Sequence, residues 1–165
     1  MWDPDGAGPQ PERLVVGGQF TAAGRTLASN IAMWDGSGWQ ALGSGMDQYV
    51  KALAVLPTGE LVAAGAFSTA GGTPARRIAR WDGNAWSPLG TGVGSVQFDA
   101  VFALAVLPGG DLIAGGAFSG AGGNPANNVA RWNGSSWSAL GSGLNGSVAA
   151  LAVRPGGELV AAGGF

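Results

Sequence analysis

The sequence predicts an all-β fold of repeated four-stranded antiparallel units, on three observations. The same blocks recur in phase along the chain. Glycine makes up 32 of 165 residues, which suits many short strands and tight turns because glycine takes positive φ without steric cost. No segment sustains a 3.6-residue apolar period, so essentially no helix is expected.

The repeat has three blocks. LVVGGQF, LVAAGAF, LIAGGAF and LVAAGGF end at Phe20, Phe67, Phe118 and Phe165, with spacings of 47, 51 and 47. IAMWDGSGWQALGSG, IARWDGNAWSPLGTG and VARWNGSSWSALGSG begin at Ile31, Ile78 and Val129. VKALAVLP, VFALAVLP and VAALAVRP begin at Val50, Val101 and Val148. The four extra residues of the middle period fall in Thr91–Asp99, between two strands, where insertions are tolerated and often carry function.

Each period contains four strand candidates. The first is the ALAV block, followed by a Pro-Gly-Gly or Pro-Thr-Gly turn. The second is LVAAG, ending at the phenylalanine. A Gly-rich loop leads to the third, exemplified by Arg77–Trp81, and W-[DN]-G-x-x-W connects it to the fourth, Trp86–Leu89. Asp-Gly and Asn-Gly between strand-like runs are strong hairpin signals. Four strands in 40–50 residues, repeated, is the pattern of a β-propeller blade. About three blades follow a Pro/Gly-rich segment, residues 1–11, and occupy residues 12–165.

The pattern N-[IV]-A-x-W-[DN]-G-x-x-W-x-x-L-G-x-G stands at Asn30–Gly45 and Asn128–Gly143, with Arg77 replacing the leading Asn in the middle copy. It resembles kelch-like and galactose-oxidase-like propeller repeats, and is closer to the tandem arrays of fungal cortical markers and bacterial surface proteins. The resemblance implies a cell-surface or extracellular setting. It also implies that the first strand lines a central channel. Ala52 and Ala54 are then expected at the axis, with Leu53 and Val55 facing the next blade.

Composition excludes several functions. With net charge −2 and sequence pI about 4.8, there is no basic stripe for nucleic acid. The chain has no cysteine and no histidine, which removes thiolate metal sites, the commonest general base and the commonest transition-metal ligand. No apolar run approaches the ~18 residues of a membrane helix, and Met1–Gly6 does not read as a signal peptide. Asp3-Pro4-Asp5-Gly6 lacks the further carboxylates of a calcium loop and reads as a Pro/Gly loop. No cofactor, metal or catalytic residue is expected.

The repeated residues read as structural. The pairs Trp34/Trp39, Trp81/Trp86 and Trp132/Trp137 are expected to fill the wedge between blades rather than stack on carbohydrate. Asp35, Asp82 and Asn133 are expected to hold turns by accepting backbone N–H groups, rather than to form a sialidase-type box. Phe20, Phe67, Phe118 and Phe165 mark the strand ends. Glu60, Asp111 and Glu158 are repeat-phased turn positions.

About three blades cannot close a ring, which takes about 4–8. The chain counts thirteen strands, from Arg13–Phe20 to Glu158–Phe165. Two copies joined head to tail would make six blades, with Val148–Arg154 of one completing the first blade of the other. Twice thirteen strands exceeds six four-stranded blades by two, so one second-strand copy per chain is redundant, Arg13–Phe20 or Glu158–Phe165. Leu14, Val16, Val148, Leu151, Val153 and Leu159 are the inter-chain strand candidates. The expected function is a binding or interaction scaffold with a glycan or protein ligand. The alternatives are a purely architectural half-propeller, whether a piece of a longer chain or an engineered or evolutionary form, and, remotely, a sialidase-like hydrolase.

Overall fold

A computed structural model describes residues 1–3 and 12–165. Of the N-terminal Pro/Gly segment and the Asp3–Gly6 loop reading, residues 4–11 lie outside the described residues. The described residues contain strands and turns and no helix.

The first blade begins with β1 (Leu14–Gly17), continues through the small strands β2 (Ala22–Ala23) and β3 (Thr26–Leu27), and ends with β4 (Ile31–Trp34) and β5 (Trp39–Ala41). The second runs β6 (Val50–Val55), β7 (Leu61–Gly65), β8 (Thr69–Ala70), β9 (Thr73–Pro74), β10 (Ile78–Trp81) and β11 (Trp86–Pro88). The third runs β12 (Ala100–Val106), β13 (Leu112–Ala117), β14 (Gly120–Ala121), β15 (Asn124–Pro125), β16 (Val129–Trp132) and β17 (Trp137–Ala139). A partial fourth holds β18 (Val148–Val153) and β19 (Leu159–Gly163).

The second and third blades are four-stranded antiparallel sheets in chain order, β6-β7-β10-β11 and β12-β13-β16-β17. Among the described residues the first blade's sheet is β1-β4-β5, with no named inner strand, and the last is the pair β18-β19. Together the four sheets hold thirteen strands. The chain is an all-β protein of β-propeller blades.

Two features depart from the sequence expectation. The Gly-rich loops between second and third strands contain the hairpins β2-β3, β8-β9 and β14-β15. In the last two, the hairpin bridges to the preceding blade: Met46 pairs with Ala70, and Val93 with Ala121. The inner-strand alternation also differs. Leu53 packs back into the core between the first and second blades, whereas Ala54 packs into the core between the second and third. Leucine therefore faces the preceding blade and alanine the following one. The physical reason is that period 2 sends alternate residues to opposite faces, and both faces of a propeller blade are covered.

The same rule organises the core. Leu61, Ala63 and Trp81 join the first inter-blade cluster, while Val62, Ala64 and Ile78 join the second. Every β7 residue is buried, as expected of a strand covered on both faces.

Antiparallel order fixes the two ends. One carries the Pro-Gly turns and the W-[DN]-G hairpins. The other carries the loops after the second strands and the connections between blades, including Thr91–Asp99. The L-G-x-G corner ending each complete blade needs its second glycine. Gly92 has φ +84° and a Cβ there would lie 2.5 Å from the Arg76 carbonyl oxygen. That carbonyl accepts the Val93 amide at 3.0 Å. Gly92→Ala is expected to lower stability by about 1–3 kcal/mol, from positive φ and the steric clash together. Gly109→Ala, which meets nothing within 4 Å, should change it by less than about 0.5 kcal/mol. Urea unfolding of the two variants checks the contrast.

Candidate functional site

Asp35 Oδ1 accepts the amides of Ser37 at 2.8 Å and Gly38 at 2.9 Å. Asp82 Oδ1 accepts those of Asn84 and Ala85, both at 2.8 Å. Asn133 Oδ1 does the same with Ser135 at 3.0 Å and Ser136 at 2.9 Å. These three positions hold exposed turns on the end opposite the variable loops. The two carboxyls titrate below the ordinary aspartate value of 3.8, through the Ser37 and Gly38 amides for Asp35, and the Ala85 and Asn84 amides for Asp82.

The tryptophans build the junction between blades. Each pair is in ring contact, at 5.5 Å for Trp34–Trp39, 5.3 Å for Trp81–Trp86 and 5.4 Å for Trp132–Trp137. Across the first junction the Trp86 indole donates to the Leu42 carbonyl of the blade before, at 2.9 Å. Across the second, Trp137 donates to Leu89 at 2.8 Å. A Cβ at Gly43 or Gly90 would touch the next blade's tryptophans, whereas one at Gly141 would meet nothing within 4 Å.

The chain therefore holds two complete junctions and two halves. At one end Leu140 is 37% exposed, against 2% for Leu42 and 1% for Leu89. At the other, Trp34 is 37% exposed, against 6% for Trp81 and 7% for Trp132. Leu14, Val160 and Phe165 are also exposed, while Phe67 and Phe118 are buried and Phe20 is half-buried. Of the inter-chain strand candidates, Val148 is buried against the third blade, and Val16, Leu151, Val153 and Leu159 are half-buried.

On the loop end, Asn30 and Asn128 adopt positive φ, 66° and 63°. Each accepts the amide of the preceding second-strand phenylalanine, Phe20 or Phe118, and donates to the carbonyl of Met46 or Leu144. Arg77 takes this position in the middle copy, at φ 64°. Its guanidinium is buried and donates to the carbonyls of Asp99 at 2.5 Å, Gln97 at 2.8 Å, Phe67 at 3.1 Å and Val96 at 3.3 Å. Asp99 in turn accepts the Ser95 and Val96 amides at 2.6 and 3.0 Å. The Asn-to-Arg exchange and the four-residue insertion thus form one unit, and the insertion presents Phe98 at 89% exposure.

Asp47 lies nearby. Its partial burial opposes ionisation, but hydrogen bonds from the Ser68 hydroxyl and the Thr69 and Ser68 amides outweigh that and lower its pKa. A cavity of about 490 Å³ opens where β6, β12 and β18 begin, with Gln19, Tyr49, Lys51 and Phe102 in its wall. Sequence reasoning did not single out these four. Their signal was available: Gln19 and Tyr49 are bulky exceptions at repeat positions otherwise held by small residues, and Lys51 and Phe102 stand at the one inner-strand position that varies among the copies.

The family model described as "Domain of unknown function (DUF5122) beta-propeller" matches residues 56–84, from the turn after β6 to the W-D-G hairpin of the second blade. No curated protein matches the chain. Fold and match define the class, a β-propeller repeat protein. The likeness to kelch-type repeats rests on the sequence motif.

The hairpins yield a pH prediction with an internal control. A carboxyl whose pKa is depressed by folding adds stability that is present above its unfolded value and lost as pH falls through the folded one. The amide protons of Gly38 and Ala85 should therefore titrate in NMR spectra with midpoints below 3.8. That of Ser136, which faces the amide of Asn133, should show no such step.

Proposed function

We propose that this chain is a non-enzymatic propeller module that closes with a second copy into a six-bladed ring and binds its ligand through the loop end. The observation that carries this reading is the pair of half-junctions. Their partners have the chemistry of the complete ones. By the repeat, Trp39 corresponds to Trp86 and Trp137, and Leu140 to Leu42 and Leu89. Trp39 of one copy can therefore donate to Leu140 of the other. Ala23 and Leu144 correspond in the same way to the bridge partners Ala70 and Met46, or Ala121 and Val93.

In the closed ring, β18 of one copy takes the inner position beside β1 of the other. The register of β6 on β7 sets Val148 against Gly18 and Val153 against Leu14. One redundant strand must leave, and the charge pattern favours the departure of β19. In the second and third blades an acid pairs with arginine on the third strand, Glu60 with Arg80 at 3.2 Å and Asp111 with Arg131 at 2.6 Å. The first blade has Met33 at that arginine position, and Arg13 of its own second strand contacts the Met33 sulfur at 3.8 Å. Glu158, just before β19, would face Met33 where the other blades have an arginine, and would keep only Arg154 of its own hairpin at 2.9 Å.

The acids support a non-enzymatic role. Asp35, Asp47, Asp82 and Asp99 hold backbone amides, and Glu60 and Asp111 hold arginines. The described residues form no cluster of three or more His, Cys, Asp or Glu side chains. They also include no helix long and apolar enough to cross a membrane.

A second reading, the purely architectural one, is favoured by Trp2. It exchanges backbone hydrogen bonds with Arg13, both at 2.7 Å, where Leu56 stands beside Glu60 in the second blade. Its indole donates to the Gly59 carbonyl at 2.8 Å. It thus acts as the end of an inner strand for the first blade.

Light scattering on a sizing column separates the readings. Ring closure predicts a peak at twice the 16.2 kDa chain mass, and Trp39→Ala with Leu140→Asp should return it to a folded monomer. A stable wild-type monomer contradicts closure and supports the architectural reading.

A further inference from the structure

We infer that the cavity where the inner strands begin is a binding site for a small carboxylate carrying an apolar ring. The site rests on a repeated backbone feature. In β6, β12 and β18 the register shifts between Val50 and Ala52, Val101 and Ala103, and Val148 and Ala150. Each shift is a β-bulge, which leaves one residue unpaired and re-aims its side chain. The bulged residues are Lys51, Phe102 and Ala149, and all three line the cavity.

The repeat shows that this spot differs from the frame around it. The inner strands read V-x-A-L-A-V, and only the bulged position changes among Lys, Phe and Ala. Tyr49 stands where the other blades have Ala100 and Ser147, and Gln19 where they have Ala66, Ala117 and Gly164. Two bulky departures from small-residue positions, Gln19 and Tyr49, and the two bulky bulged residues Lys51 and Phe102 thus converge on one cavity of about 490 Å³, within the size range of small-molecule sites. The neighbouring strands keep the common pattern.

The lining states the ligand's chemistry. Among the described residues, Lys51 brings the only charge to the wall and no acid lines the cavity. The side chains of Gln19, Tyr49 and Lys51 make no hydrogen bond or ion pair among the described residues. An ammonium, a phenol and an amide are therefore free to bind a ligand's polar end. Phe102 and the Tyr49 ring supply apolar faces beside them. A ring packed on those faces, with its carboxylate on Lys51, uses every group; a cation would meet Lys51 unfavourably.

The wall belongs to one chain, but closure would set the second copy's Val148 against Gly18 of that wall, so binding is read on the wild-type chain and on the Trp39→Ala, Leu140→Asp monomer alike. The probe is phenylacetate, titrated into the whole ¹⁵N-labelled chain, with phenylacetamide as its uncharged counterpart. Phenylacetate should shift the amides of Gly18, Lys51, Phe102 and Ala149 with a dissociation constant on the order of millimolar. Phenylacetamide, and phenylacetate on Lys51→Gln, should each bind about tenfold more weakly. Phe102→Ala should weaken both probes. Lys51 is exposed, so the Gln variant should keep the native spectrum. The inference is overturned if those amides do not shift, if the shifts scatter over the surface, or if the two probes bind the wild-type chain equally well.

Discussion

A propeller blade has two apolar faces, and each needs another blade to cover it. That constraint explains why β7 is buried along its whole length, and why alternate residues of one strand belong to different clusters. It also explains why the tryptophans recur in phase. Each second tryptophan of a pair reaches back across the gap and ends on a carbonyl of the preceding blade. The ring fills the wedge while its one polar atom is satisfied, which makes a large indole tolerable there.

The same constraint makes the ends of the array informative. A face that is nearly solvent-free inside the array is open at Leu14, Trp34, Leu140 and Phe165. Covering what remains exposed of each such side chain is worth roughly 1 kcal/mol, and the unpaired strand edges add a further drive to association. The two exposed halves carry the same donors, acceptors and glycine corners as the junctions between them. Their complementarity is therefore inherited from the repeat itself.

Much of this architecture was legible in the sequence. Asp-Gly and Asn-Gly between tryptophans place the outer hairpins, and the phased LVAAG blocks place the second strands, with bounds differing by at most three residues. The hairpins β8-β9 and β14-β15 escaped because two-residue strands are too short to show alternation, although the Gly71-Gly72 and Gly122-Gly123 turns carry a hairpin signal. The bulges at Lys51, Phe102 and Ala149 were invisible because V-x-A-L-A-V reads as a continuous strand. Ala52 and Ala54 were assigned to the axis on resemblance, and the packing of both blade faces places Ala54 against the following blade instead. Arg77 stood out as a departure from Asn, but its partners are carbonyls of an inserted loop some twenty residues away, which only tertiary structure brings to it.

The most direct test of the account is solvent exchange of the indole N–H protons, read by NMR. Trp86 and Trp137 donate across complete junctions and should exchange slowly. If the ends of the array join as the internal blades do, the Trp39 indole should be protected to a similar degree in the wild-type chain and lose that protection in Leu140→Asp. Fast exchange at Trp39 in the wild-type chain, at concentrations where Trp86 and Trp137 stay protected, would contradict closure.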